Sequence, residues 1–158
     1  MKLREIVVEK AIITSLQSSK RDEVLGELLD ALVAADAIGA DRRDPYLKEA
    51  LKRERKGSTG FGHGVAVPHV KASGLDRLTV AIGISDAGVD FNALDKQPVH
   101  SIFLLISPEE RPEEHIDAME AIFGNLSKDQ FRRFLRQAAD VKEIITLLEE
   151  ADAGQSVG

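Results

Sequence analysis

Gly57-Ser58-Thr59-Gly60-Phe61-Gly62-His63-Gly64-Val65-Ala66-Val67-Pro68-His69-Val70 is the stretch on which the reading of this chain turns. It holds four of the twelve glycines and two of the four histidines. Gly60, Gly62 and Gly64 alternate, so in an extended segment all three face the same way and leave bare backbone that another group can approach closely. Val65 and Val67 suit a buried strand. Pro68 removes a backbone donor and biases Val67 away from helix. His69, directly after it, is expected at a strand end, where the chain leaves the sheet.

Outward from there, Asp44-Pro45 reads as a helix start, with Asp44 as N-cap and Pro45 at the first helical position. Tyr46, Leu47, Ala50 and Leu51 mark its buried side. Arg53 stands on the edge of that side in the last turn, a favourable place for a cation. Upstream, residues 11–16 read as a first strand and Gly39 to Arg43 as a loop. Between them, Ser18 to Asp22 opens a helix with Val24, Leu25, Leu28, Leu29, Leu32 and Val33 at helical spacing.

Downstream, Leu78, Val80, Ile82 and Ile84 alternate with Thr79, Ala81 and Gly83, the pattern of a strand packed on both sides. Ser85 to Pro98 reads as a loop, and Val99 to Ile106 as a central strand. Pro112 opens a helix with Glu113 and Glu114 in its first turn and Ile116, Met119, Ile122, Phe123 and Leu126 on its core face. Ser127-x-x-Gln130 reads as a capping box before a helix with Phe131, Phe134 and Leu135 inward, and Asp140-x-x-Glu143 has the same spacing. The expectation is an α/β domain over 1–150, a single mixed sheet of about five strands flanked by helices. A small, polar, frayed tail over 151–158 follows.

The 158 residues are 43% apolar and 30% charged, with a formal net charge of −6. That balance suits one globular domain and opposes an electrostatic grip on nucleic acid or an anionic membrane. Without cysteine there is no disulfide framework, thiolate metal site or thiol nucleophile. No apolar run reaches the ~18–20 residues of a membrane span, and no signal peptide is read at the N-terminus. The expected location is the cytoplasm, and no cofactor is expected.

The order Arg53-Glu54-Arg55-Lys56-Gly57-Ser58-Thr59-Gly60, continuing to Val65-Ala66-Val67-Pro68-His69, resembles the phosphorylation-site region of the mannitol/fructose class of phosphotransferase-system IIA domains. It is most similar to the nitrogen-regulatory members. The resemblance runs from about residue 1 to 150 and implies a small mixed sheet between helical layers. It also implies transient phosphorylation of His69, an arginine at Arg53 that stabilises the phosphoryl group, and a second active-site histidine at His115 within His115-Ile116-Asp117-Ala118-Met119. The implied donor is a histidine phosphocarrier protein. The implied acceptor is a IIB domain, if the protein serves sugar uptake, or a regulatory target protein.

The residues themselves agree with that chemistry. A neutral imidazole is a competent nucleophile towards phosphorus. It needs a donor-rich cradle, which the glycine backbone including Gly60, the hydroxyls of Ser58 and Thr59, and the planar fork of Arg53 can supply. His115, at a helix N-terminus, is biased towards neutrality beside a natural anion site. His63 departs from the asparagine frequent in nitrogen-regulatory members; it either contacts the phosphoryl group or lines the rim. His100, inside an apolar strand, reads as structural.

Three other classes compete. A zinc hydrolase could use His63, His69 and His115, but H-E-x-x-H is absent and no carboxylate is spaced to join them. A nucleotide-binding enzyme would need G-x-x-x-x-G-K-[ST] or G-x-G-x-x-G, and neither is present. A non-catalytic regulatory module would not need the full set of His69, Arg53 and His115.

Overall fold

The backbone enters through a single helical turn, α1 (Leu3–Ile6), and passes straight into β1 (Val7–Ile13) in a computed structural model that describes residues 1–154. The first strand thus starts four residues before the expected 11–16. Val7 and Ile12 are both buried and hold register with Val80 and Ile82, so pairing rather than local apolar density sets its beginning. Helix α2 (Arg21–Ala34) follows, burying Val24, Leu25, Leu28, Leu29 and Leu32 as the spacing predicts. The expected loop at 39–43 contains a 3-10 turn, Ala40–Arg42, which feeds directly into α3 (Arg43–Lys56). Asp44 is therefore not the N-cap. It lies inside the first turn and accepts from Arg43 Nη1 at 3.0 Å. Pro45 is still tolerated, because first-turn N–H groups have no intrahelical partner.

The glycine stretch folds into β2 (Gly60–Gly62) and β3 (Val65–Ala66), an antiparallel hairpin. His63 and Gly64 form its tip with φ of 59° and 74°. Both central residues of a two-residue I′ turn need positive φ. The three alternate glycines therefore do not lie on one extended face, because the chain reverses between Gly62 and Gly64. After Pro68 the chain does not leave the sheet. β4 (His69–Ala72) continues parallel to β6 (Val99–Pro108), in the same register that β3 holds with it. Pro68 only interrupts the ladder, and its carbonyl still accepts from Leu105 N.

β5 (Thr79–Val89) extends into the region expected as loop and pairs antiparallel with β6. Among the described residues the sheet has six strands, one more than the expected five or so, in the order β1-β5-β6-β3-β2 with β4 also on β6. It is mixed and lies between helices, as the alternation implied. Val80, Ile82, Ile84, Phe103 and Leu105 face one core, with Ile122, Phe131 and Leu148 against them. Ala81, Ile102, Leu104 and Ile106 face the other, against the α2 leucines. Gly83 gives room for Leu16, since a Cβ there would fall 2.9 Å from its methyls. Each large side chain fully buried in these layers contributes about 1.5–3 kcal/mol.

Helix α4 (Pro112–Leu126) starts at Pro112, as expected, but Ile116 is 55% exposed and does not join its core face. Ser127 is not a cap for α5 (Asp129–Gln137). Its backbone is helical and its hydroxyl donates to the Gly124 carbonyl, so it finishes α4. In α5, Phe131 and Leu135 form the buried i,i+4 ridge, while Phe134 lies on its outer shoulder and stays 42% exposed. Asp140 does cap α6 (Val141–Asp152), accepting from Glu143 N at 2.9 Å. α6 continues past residue 150. The Asp152 carboxylate accepts from Leu3 N at 2.7 Å and Arg4 N at 2.8 Å, capping α1. The rest of the expected tail, 155–158, lies outside the described residues. Among those described, no helix is long and apolar enough to cross a membrane.

Candidate functional site

His69 begins β4 beside the C-terminal end of β6, and His115 lies in the first turn of the helix that follows β6. Sheet and helix together bring the two rings to a centroid distance of 5.6 Å, tilted by 54°. His69 Nδ1 is 2.9 Å from the Val67 carbonyl oxygen. A carbonyl only accepts, so Nδ1 carries the proton and, in the neutral ring, the Nε2 lone pair is free. Burial is the main cause that holds the His69 pKa below the usual histidine value, and the cations Arg53 and Lys71 push the same way. The Val67 bond and Glu54 oppose them.

His115 is buried, at 8% exposure, with Nδ1 2.6 Å from Ser107 Oγ. Its pKa is also lowered, first by burial and then by His69 and Lys71. The neutral form that a helix N-terminus favours is thus reinforced by the site. Arg53 is half-buried in the last turn of α3, where Nη1 donates to the Gly57 carbonyl at 2.8 Å. That contact caps the helix end and uses one donor of five.

The other candidates are engaged within the chain. Ser58 Oγ donates to Phe91 O and accepts from Gly60 N. Thr59 N and its hydroxyl both donate to the Glu54 carboxylate, and Thr59 O accepts from Val67 N. Gly60 also passes under Ala93, where a Cβ would come within 2.9 Å of the Ala93 Cβ. Those hydroxyls brace the loop between α3 and β2.

His63 is not brought to the site. Val65 is level with Ser101 and His69 with Leu105. From Val65 to His69 the chain advances four residues along β6, about 13 Å at roughly 3.3 Å per residue, and the hairpin tip lies beyond Val65. His63 instead lines a surface cavity of about 500 Å³ with Asp86, Asp129, Arg132, Arg133, Arg136 and Gln137. Of the two readings of His63, contact with the phosphoryl group or a place on the rim, its position at the hairpin tip does not favour contact. His100 is structural, as read: Nδ1–H donates to Ser85 O at 2.8 Å.

Two residues with clear contacts were not singled out in the sequence. Glu54 is 3% exposed and falls at i+8 from Tyr46, so the spacing of the buried face already pointed to it. Ser107 is fully buried at the end of β6, and nothing local marks it. Replacing Glu54 with alanine would orphan two buried Thr59 donors. The expected loss is about 1–3 kcal/mol of stability, measured by urea unfolding; an unchanged midpoint would show that the loop does not depend on this clamp.

Residues 5–151 match the family model described as phosphoenolpyruvate-dependent sugar phosphotransferase system, EIIA 2. The chain belongs to this family. Among relatives of the domain, a nitrogen regulatory protein from Pseudomonas aeruginosa is 31% identical over 155 residues, covering 98% of this chain and 99% of that protein. The fructose-specific EIIABC component of Bacillus subtilis is 30% identical over 152 residues; 96% of this chain is matched, and it spans 24% of that longer protein. The crystal structure of the nitrogen regulatory protein IIA-Ntr from Neisseria meningitidis superposes with a TM-score of 0.83 at 27% identity, covering 92% of this chain and 98% of that one. An EIIA domain is a phosphoryl carrier. Here an unprotonated ring nitrogen of His69 lies beside a second imidazole, and the Arg53 cation acts on the same ring.

Proposed function

We propose that His69 accepts a phosphoryl group on Nε2 from a histidine phosphocarrier protein, and that the protein works in nitrogen regulation. The observation that carries the site assignment is the Nδ1–H bond to the Val67 carbonyl, which leaves Nε2 as the lone-pair nitrogen. The Nε2 lone pair bonds to phosphorus while the donor's phosphorus–nitrogen bond breaks, its ring nitrogen leaving with the electron pair. As positive charge develops on the His69 ring, its Nδ1–H bond to Val67 strengthens. Arg53 and His115 face the phosphoryl oxygens, and Ser58, Thr59 and Gly60 hold the loop in place.

The regulatory reading rests on full-length similarity to nitrogen regulatory proteins. The protein would act in the cytoplasm, passing its state to a target protein. Phosphorylation adds roughly −1.5 to −2 charge at the end of β6, which changes docking by local electrostatics with no change of fold. The fructose-specific relative supports a second reading, transfer to a IIB partner during sugar uptake. To separate them, labelled phosphoprotein is mixed with membranes carrying the host's sugar permeases. The label should persist; rapid sugar-dependent loss would establish the transport reading instead.

A further inference from the structure

We propose that Ser107 is a positioning residue: its hydroxyl donates to His115 Nδ1 and so fixes His115 as a neutral Nε2–H donor towards the phosphoryl group. Ser107 Oγ is 2.6 Å from His115 Nδ1, and Ser107 is fully buried. Among the described residues, the hydroxyl forms no other hydrogen bond. If it merely accepted from Nδ1–H, its own proton would be left buried and unpaired, which is costly. With the hydroxyl as donor, Nδ1 is the acceptor, and the ring proton must be on Nε2.

The two neighbouring rings then hold opposite tautomers. In His69 a carbonyl takes the Nδ1 proton and leaves a lone pair on Nε2; in His115 a hydroxyl occupies the Nδ1 lone pair and leaves Nε2–H. One ring attacks phosphorus and the other donates to its oxygens. Neutrality suits this division, because a cationic His115 beside an uncharged His69 would favour the donor but disfavour the charge that develops on the nucleophile's ring. Ser107 can hold this role because β6 ends beside the helix that carries His115, and because the rigid sheet fixes Oγ in place.

The functional half of this inference rests on His69 being the acceptor; the tautomer half does not. Nitrogen-15 NMR of the unphosphorylated protein reads the tautomer directly. The wild type should show His115 with a protonated Nε2 and an unprotonated Nδ1. Ser107→Ala should show a mixture of tautomers, and Ser107→Thr, which keeps the hydroxyl, should restore the wild-type signals. Phosphorylation of Ser107→Ala should be slower by about 3- to 10-fold, the effect of a single buried hydrogen bond, with Ser107→Thr recovering most of it. A wild-type His115 protonated on Nδ1, or a Ser107→Ala spectrum identical to wild type, would overturn the proposal. If the tautomers behave as stated but no variant is labelled, including wild type, then the acceptor assignment has failed and Ser107 still sets the His115 tautomer. If the tautomers shift while the rate does not, the positioning role in transfer is refuted.

Discussion

His69→Ala protein should take up no label from a phosphoenolpyruvate-driven phosphocarrier system, whereas the wild type gains one acid-labile phosphoryl mass. The loss should be complete because no second nucleophile at the site has the same disposition. His115 Nδ1 is bonded to Ser107, His63 is at the far tip of a hairpin and His100 is tied to the Ser85 carbonyl. The wild-type pH profile carries a further signature. Burial and nearby cations lower the His69 pKa, so the ring stays neutral and nucleophilic as pH falls below about 6.5, the free histidine value. Acceptor activity should persist into that range. Stability moves the other way: between the lowered folded pKa and about 6.5 the unfolded chain binds protons that the folded one does not, so stability falls as pH drops through that window. Undiminished labelling of His69→Ala, followed by intact mass, would end the assignment.

Arg53→Ala should slow phosphorylation by about 30- to 1000-fold, corresponding to roughly 2–4 kcal/mol at the transition state for the loss of one charge-assisted partner of a developing anion. Thermal stability should change little. Arg53 is half-buried, and its one side-chain hydrogen bond among the described residues, to the Gly57 carbonyl, caps a helix end that solvent can also satisfy. Arg53→Lys keeps the charge but loses the planar fork, so it should recover only part of the rate. Rapid-quench labelling beside a thermal melt checks both. A variant that unfolds, or one that transfers at the wild-type rate, would reduce Arg53 to a helix cap.

The site was legible in the sequence wherever chemistry and punctuation coincide. Proline before His69, proline at the start of the His115 helix and arginine at the end of another helix each place a functional group at an element boundary. Side-chain patterning also gave the faces of β5, where Leu78, Val80, Ile82 and Ile84 alternate with Thr79, Ala81 and Gly83, and the apolar run Val99 to Ile106 marked β6 as a central strand. In the sheet, the misreadings arose where local signals were outvoted by pairing. The hairpin at His63-Gly64 hides in a glycine run that suggests extension, and the sheet recaptures the chain after Pro68 because β6 still offers a free edge. Ser127 and Asp44 look like caps but lie within helical backbone that started or ended a residue or two away. Glu54 was marked by its spacing from Tyr46 on the buried face of α3, whereas Ser107 becomes meaningful only when His115, eight residues on, is seen to meet it.

The clasp between Asp152 and the N–H groups of Leu3 and Arg4 has a consequence for how the molecule is made. The two ends of that contact are 149 and 148 residues apart. During translation, the first turn emerges with its amides open and β1 without β5 beside it. Neither deficiency is cured locally. The strand waits for residues near 80, and the turn waits for α6 to leave the ribosome. Contacts of such long separation slow folding and lengthen the time that unpaired strand edges stay exposed. A nascent chain should therefore keep its first turn and β1 open to chaperones and proteases until α6 has emerged and Asp152 can reach Leu3 and Arg4.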